Sequence, residues 1–225
     1  MAEAIAGVVF DVYGTLLDVY AVEARLEAVF PGKGKAIALR WRDKQIEYSR
    51  LRTLSGRYAD FWTLTGDALD YACEFEKVAL TPEARAALMG VYERLPAHPE
   101  VPAALAALHQ RGLKLGVLSN GNEAMLRAAL TAAGIAPLLT HVLSVERVQK
   151  FKTAPEAYQL APDAFGAPVH EIVFVSSNGW DAAGASWFGF RAFWVNRMGA
   201  PWERLGVAPG GTGRSLDDLA KFLGA

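Results

Sequence analysis

Five short runs rich in Val, Ile, Leu and Phe constrain this chain more than any other feature: Gly7–Phe10, Leu113–Leu118, His141–Val145, Ile172–Val175 and Ala192–Asn196. Runs of that length, apolar throughout, read as strands buried on both faces, and strands of that kind pair in parallel. Helix-length stretches lie between the last four, at Glu123–Ala133, Pro155–Phe165 and Trp180–Gly189, and Glu100–Arg111 precedes the second run. The alternation predicts βαβ units and a doubly wound, Rossmann-like parallel α/β sheet. Between the first and second runs the pattern is helical only, at Val19–Phe30, Ala36–Thr53, Tyr58–Phe75 and Pro82–Arg94, punctuated by Pro31-Gly32, Ser55-Gly56 and Thr81-Pro82. We therefore expect a core of residues 1–16 and 97–225 and an inserted helical cap of residues 17–96, placed over the carboxyl edge of the sheet to shield a site from water. The tail Pro201–Gly213, rich in Gly and Pro, reads as a surface loop before a last helix at Leu216–Leu223.

Composition narrows the partners. The formal net charge is -1 and no long block of like charge occurs, which argues against a nucleic-acid groove or an anionic membrane surface and leaves a small molecule as the expected partner. The N-terminal apolar run Ala4–Phe10 is preceded by Glu3, broken by Asp11, and shorter than a secretory or membrane-spanning segment needs. A cytoplasmic location is expected. The one cysteine, Cys73, has no internal disulfide partner and reads as a packed helix residue. His98, His109, His141 and His170 lack metal-like spacing and read as structural or exposed.

Ligands of open parallel sheets bind beyond the carboxyl ends of the strands, where strand order reverses. There the sequence places Asp11 with Thr15, then Ser119-Asn120-Gly121, then Lys150-Phe151-Lys152, then Ser176-Ser177-Asn178-Gly179-Trp180-Asp181. Brought to one edge, these would gather a nucleophilic carboxylate, a hydroxyl and amide pair, an ammonium and a second carboxylate. The plainer reading is that strand ends are polar because loops are wet.

In order along nearly the whole chain, Phe10-Asp11-x-Tyr13-Gly14-Thr15, Leu118-Ser119-Asn120-Gly121, a Lys after the third run and Ser176-x-Asn178-x-x-Asp181 resemble the haloacid dehalogenase superfamily. Within it, Trp41-Arg42-Asp43-Lys44-Gln45-Ile46-Glu47-Tyr48 and Gly56-Arg57-Tyr58-Ala59-Asp60-Phe61 are similar to the cap of the L-2-haloacid dehalogenases. The phosphatases of that superfamily carry Asp-x-Asp, where this chain has Tyr13, and Gly-Asp after the fourth strand, where it has Ser176-Ser177. Mg²⁺ prefers hard anionic oxygens, so both departures count against phosphoryl transfer.

The resemblance implies SN2 attack by Asp11 on the carbon bearing the halogen of a 2-halo carboxylic acid, an aspartyl ester, and its hydrolysis to a 2-hydroxy acid, with no metal or other cofactor. Lys152 would keep Asp11 charged; Arg42 and Asn120 would receive the halide. Thr15, Ser176 and Asn178 would orient Asp11 and Lys152, and Asp181 would position or activate the hydrolytic water. Ser119 would hold the substrate carboxylate. Tyr13, Ile46, Phe61 and Trp180 would wall the pocket, with Tyr158, six residues after Lys152, behind them. Plainer readings stand beside these: Arg42 shares its basic stretch with Arg40 and Lys44, Lys150 competes with Lys152, and Phe61 and Trp180 are also ordinary core aromatics. Relatives are often dimers, so a homodimer is among the implied partners. An atypical phosphatase and a non-catalytic ligand-binding module are the alternatives.

Overall fold

In the computed structural model, which describes residues 5–224, the first apolar run is the strand β1 (Gly7–Phe10), buried along its whole length. Met1–Ala4 and Ala225 lie outside the described residues, and with them Glu3 and the start of the N-terminal apolar run. β1 sits inside a six-stranded sheet of order β3-β2-β1-β4-β5-β6, with β2 at Leu115–Ser119, β3 at His141–Ser144, β4 at Ile172–Ser176, β5 at Arg191–Val195 and β6 at Gly211–Gly213. All neighbours are parallel. Phe10 is level with Val117 of β2 and with Val175 of β4, so Asp11, Ser119 and Ser176 emerge together where the strand order reverses. That crevice is where a doubly wound sheet binds ligands.

Between β1 and β2 come the helices α1 (Val22–Val29), α2 (Gly34–Leu54), α3 (Phe61–Phe75) and α4 (Pro82–Met89), with α2 packed along both α1 and α3. The chain enters and leaves this layer through two neighbouring crossings. Leu17 and Ala97 form an antiparallel bridge, the Asp18 N–H donates to Pro96 O at 2.9 Å, and the His98 N–H donates to Leu16 O at 3.0 Å. The remaining helices, α5 (Val101–Gln110), α6 (Glu123–Ala132), α7 (Pro155–Phe165), α8 (Gly179–Phe188) and α9 (Asp217–Phe222), flank the sheet. Polar residues set several helix starts by accepting from otherwise orphaned N–H groups. Asp60 accepts from Trp62 and Thr63, Thr81 from Ala84 ahead of Pro82, and Asn122 from Met125. Among the described residues no helix is long and apolar enough to cross a membrane.

The structure corrects the sequence-based reading in four places. The tail expected to be loop up to Gly213 ends in β6, a three-residue edge strand. It carries no apolar pattern because Gly211 and Gly213 leave room for Phe222 and Asp218; a Cβ on Gly213 would lie 2.4 Å from Asp218 Cβ. The third run was expected to be buried on both faces, but β3 is the opposite edge, and Val142 is 37% exposed. The first insertion helix opens as a 3-10 turn over Val19–Ala21 held by the Asp18 side chain. The last stops at Met89, with Gly90–Arg94 in turns.

Gly7 is the tightest point of the sheet, since a Cβ there would meet Phe165 at 2.2 Å and the Lys114 carbonyl at 2.8 Å. Gly7→Ala is expected to cost about 1–3 kcal/mol of stability by overpacking, read as a lower urea midpoint. Because one of the two obstacles is backbone, adding Phe165→Leu should restore only part of the loss.

Candidate active site

The crevice is organised by a buried ammonium. Lys152 arrives from the loop after β3 and is 1% exposed. Its Nζ donates to Asp11 Oδ1 at 2.8 Å, to Asp181 Oδ2 at 2.7 Å and to the Leu118 carbonyl at 3.0 Å, so all three protons are used. Burial works against its charge, but the two carboxylates outweigh burial and hold the Lys152 pKa above its ordinary value. The loop is pinned at its backbone too: the Lys152 N–H donates to Asn120 Oδ1 at 2.9 Å, and the Phe151 N–H to Thr53 Oγ1 of α2 at 3.0 Å.

Asp11 is held on its second oxygen by two donors, the Thr15 hydroxyl and Asn178 Nδ2, each at 2.8 Å from Oδ2. Thr15 accepts in turn from the Ser177 N–H at 2.8 Å, while the Ser177 hydroxyl donates to the Gly14 carbonyl. Arg42 reaches in from α2, its Nη2 donating to the Tyr13 carbonyl at 3.1 Å and to Asn178 Oδ1 at 3.3 Å. Behind this set, in the first turn of α8, Asp181 is fully buried and accepts from the Tyr158 hydroxyl at 2.8 Å. Burial raises the Asp181 pKa; Lys152 and Tyr158 oppose that rise.

These groups face a chamber lined by Asp11, Tyr13, Arg42, Ile46, Ser49, Phe61, Ser119, Asn120, Asn178 and Trp180. Its free volume is about 10 Å³, on the order of one water. A larger cavity of about 540 Å³ shares only Arg42 and Asn178 with it and does not touch Asp11. Several donors in the chamber are unused. The Tyr13 hydroxyl and Trp180 Nε1 are buried without a partner. Ser119 Oγ accepts from the Gly121 N–H at 3.1 Å, which leaves its proton free. Asn120 spends its oxygen on Lys152, which leaves its amide N–H₂. No group of three or more His, Cys, Asp or Glu among the described residues is placed to hold a metal ion. Asp11 and Asp181 converge on Lys152 instead.

A family model described as haloacid dehalogenase-like hydrolase matches residues 5–189. The chain belongs to that family. This haloacid dehalogenase-like hydrolase is 44% identical over 205 residues to an (S)-2-haloacid dehalogenase of Pseudomonas sp. (strain YL), covering 91% of this chain and 88% of the relative. It superimposes on the crystal structure of an L-2-haloacid dehalogenase with a TM-score of 0.97 at 53% identity, covering 99% and 100% of the two chains. It also matches the L-2-haloacid dehalogenase of Xanthobacter autotrophicus with chloropropionic acid covalently bound, with a TM-score of 0.91, 36% identity and coverage of 98% and 99%.

The alternatives left open by the sequence separate in the structure. Arg42, not Arg40, faces the chamber; Arg40 lies 3.5 Å from the Phe75 ring centroid and pairs with Glu76. Lys150 pairs with Glu156 at the surface. Cys73 is buried in α3, where burial pushes its thiol up to about 11, which fits packing and not nucleophilic chemistry. Ser176 does not bond Asp11 or Lys152 as expected: its hydroxyl accepts from the Asn178 N–H at 3.2 Å, so it acts on Asp11 only through Asn178. Asp181 takes one donor on each oxygen, Lys152 on Oδ2 and Tyr158 on Oδ1, and so holds the ammonium in place while each oxygen keeps a lone pair. Sequence reasoning missed Ser177 as a partner of Thr15, and Ser49 as a chamber wall. Ser49 was detectable: Arg42, Ile46 and Ser49 are spaced i, i+4, i+7 on one helical face.

Tyr158→Phe removes a donor that favours the charged form of Asp181, so the Asp181 pKa should rise further. The acid limb of the kcat profile is expected to move to higher pH, with kcat at neutral pH falling roughly tenfold, the size of effect associated with losing an outer hydrogen-bond partner. Rates of halide release measured across pH 4–9 check this.

Proposed function

We propose that this protein hydrolyses short 2-haloalkanoic acids to 2-hydroxy acids through an ester on Asp11, without a metal. The observation that carries the reading is the asymmetry of the Asp11 carboxylate. Each carboxylate oxygen offers about two lone pairs. Oδ2 gives both to Thr15 and Asn178, whereas Oδ1 meets Lys152 alone. Oδ1 therefore carries the electron pair for attack.

Oδ1 forms a bond to the substrate carbon as the carbon–halogen bond breaks, and the halide leaves with its electron pair toward Arg42 and the free amide of Asn120. A guanidinium is always charged and weakly hydrated, which suits it to a closed chamber. Ser119 holds the substrate carboxylate with its free hydroxyl. Tyr13, Ile46, Phe61 and Trp180 surround the alkyl group. Oδ2 is now the ester carbonyl oxygen, and Thr15 and Asn178 become donors to the oxyanion that develops when water attacks Cγ. The Cγ–Oδ1 bond breaks, the 2-hydroxy acid leaves with Oδ1, one proton is released, and solvent oxygen restores Asp11. Asp181 positions that water and Lys152 together.

The chamber is too small for a haloacid, so admission requires the layer carrying Arg42, Ile46 and Phe61 to move. The paired crossings at Leu17 and Ala97 support a division into a core of residues 1–16 and 97–225 and a cap of residues 17–96. A cytoplasmic location and a homodimer stand as expectations from the sequence and the family resemblance.

In single-turnover reactions in H₂¹⁸O with enzyme in excess, label is expected in Asp11 and not in the hydroxy acid. Asp11→Asn should lower chloride release from 2-chloropropionate by more than about a thousandfold, the order of loss when a nucleophile is removed. Chelation should leave the wild-type rate unchanged. Mg²⁺-dependent release of phosphate from p-nitrophenyl phosphate, with no halide release, would overturn the reading in favour of a phosphatase.

A further inference from the structure

Summing the charges at the reaction centre leaves a gap. Asp11 and Asp181 balance Lys152 and Arg42, so the built site has no surplus positive charge with which to receive an anionic substrate. Carrying a second carboxylate toward Asp11 is then opposed by Coulomb repulsion in a poorly solvated chamber. One more cation stands nearby. Arg50 lies on α2 eight residues after Arg42, close on the helix surface to the chamber residues Arg42, Ile46 and Ser49 but outside the chamber lining and exposed to solvent. Its guanidinium carbon is 5.0 Å from the centroid of the Trp180 ring. Trp180 is a chamber wall whose Nε1 is buried and unpartnered.

Arg50 is exposed, and among the described residues no carboxylate pairs with it. Other exposed arginines, among them Arg25, Arg111 and Arg127, also lack a carboxylate partner among the described residues; what sets Arg50 apart is its seat over the ring of a chamber wall. An uncompensated charge at this place acts on the interior. It works to lower the pKa of the buried Tyr158 hydroxyl, against the larger upward push of burial and of Asp181. The screening length at physiological ionic strength is about 8 Å, longer than the gap between Arg50 and the chamber wall.

We propose that Arg50, stacked on Trp180 at the mouth of the chamber, is a specificity-determining cation that recruits carboxylate-bearing substrates and holds the Trp180 wall in place as they enter. The proposal rests on the haloacid reading for its substrate. Arg50 touches none of the reacting atoms, and its effect belongs to capture and not to carbon–halogen cleavage.

The test compares wild type with Arg50→Lys, which keeps the charge, and Arg50→Met, which keeps a long side chain over the indole but no charge. At low ionic strength, Arg50→Met is expected to raise KM for 2-chloropropionate roughly tenfold, the lower end of electrostatic steering effects, with kcat within about twofold. The fall of kcat/KM with added salt should flatten in Arg50→Met and persist in Arg50→Lys. Unchanged KM and an unchanged salt slope in Arg50→Met would overturn the proposal, as would a loss of kcat alone, which marks a packing role. Binding of propionate by calorimetry on the same three proteins keeps this test separate from the haloacid reading. Tenfold weaker binding by Arg50→Met supports the recruiting role even if no haloacid is turned over, and equal binding by all three refutes it.

Discussion

The arrangement depends on one ammonium group taken out of water. Lys152 Nζ has three protons and three acceptors, contributed by the end of β1, the end of β2 and the first turn of α8. Burying a charge is expensive unless every valence is met, and removing one partner of such a set costs about 3–5 kcal/mol. The sheet must therefore be in register, with Phe10 level with Val117 and Val175, before the lysine can be buried at all. Folding and assembly of the site are one event. The same geometry ties the lysine loop to the insertion through Phe151 and Thr53, so the layer above the sheet is coupled to the charge below it.

A second economy of atoms lies at the start of α8. Asn178 is the residue in the N-cap position, where an Asn side chain ordinarily accepts from the helix's own N–H groups. Here it makes no such bond. Its amide nitrogen holds Asp11 and its oxygen receives Arg42. The helix start gives up one capping contact, and in exchange a single planar group fixes the distance between the nucleophile and the cation facing it. The Asn178 N–H is itself taken by the Ser176 hydroxyl at 3.2 Å, which steadies the residue at the helix start.

Much of this was legible in the sequence. Fully buried parallel strands are continuous apolar runs, so β1, β2 and β4 were visible, and their polar last residues pointed to Asp11, Ser119 and Ser176. Arg42 and Lys152 were singled out through family resemblance, because nothing in a basic helix face distinguishes a buried arginine from a solvated one. What escaped shares a different character. β6 is defined by backbone bonds and by the absence of Cβ atoms, which no hydrophobic pattern records. Ser177 and Ser49 act through a hydroxyl at one spot, and a serine near a strand end or on a helix looks alike whether it is wet or bonded. The near-absence of free volume in the chamber is a property of how two layers meet and has no local signature.

The chain passes to and from α1–α4 through a single doorway, where Leu17 lies beside Ala97. Everything that returns from that excursion comes back to the place it left, so its length and contents are decoupled from the order of the strands. Ile46, Ser49, Phe61 and Arg42 reach the chamber from this excursion, whereas Asp11, Lys152, Asn178 and Asp181 do not. Two of the walls, Ile46 and Phe61, thus sit on a stretch of polypeptide inheritable apart from Asp11 and Lys152, and selection can resize that side of the room without rebuilding the hearth.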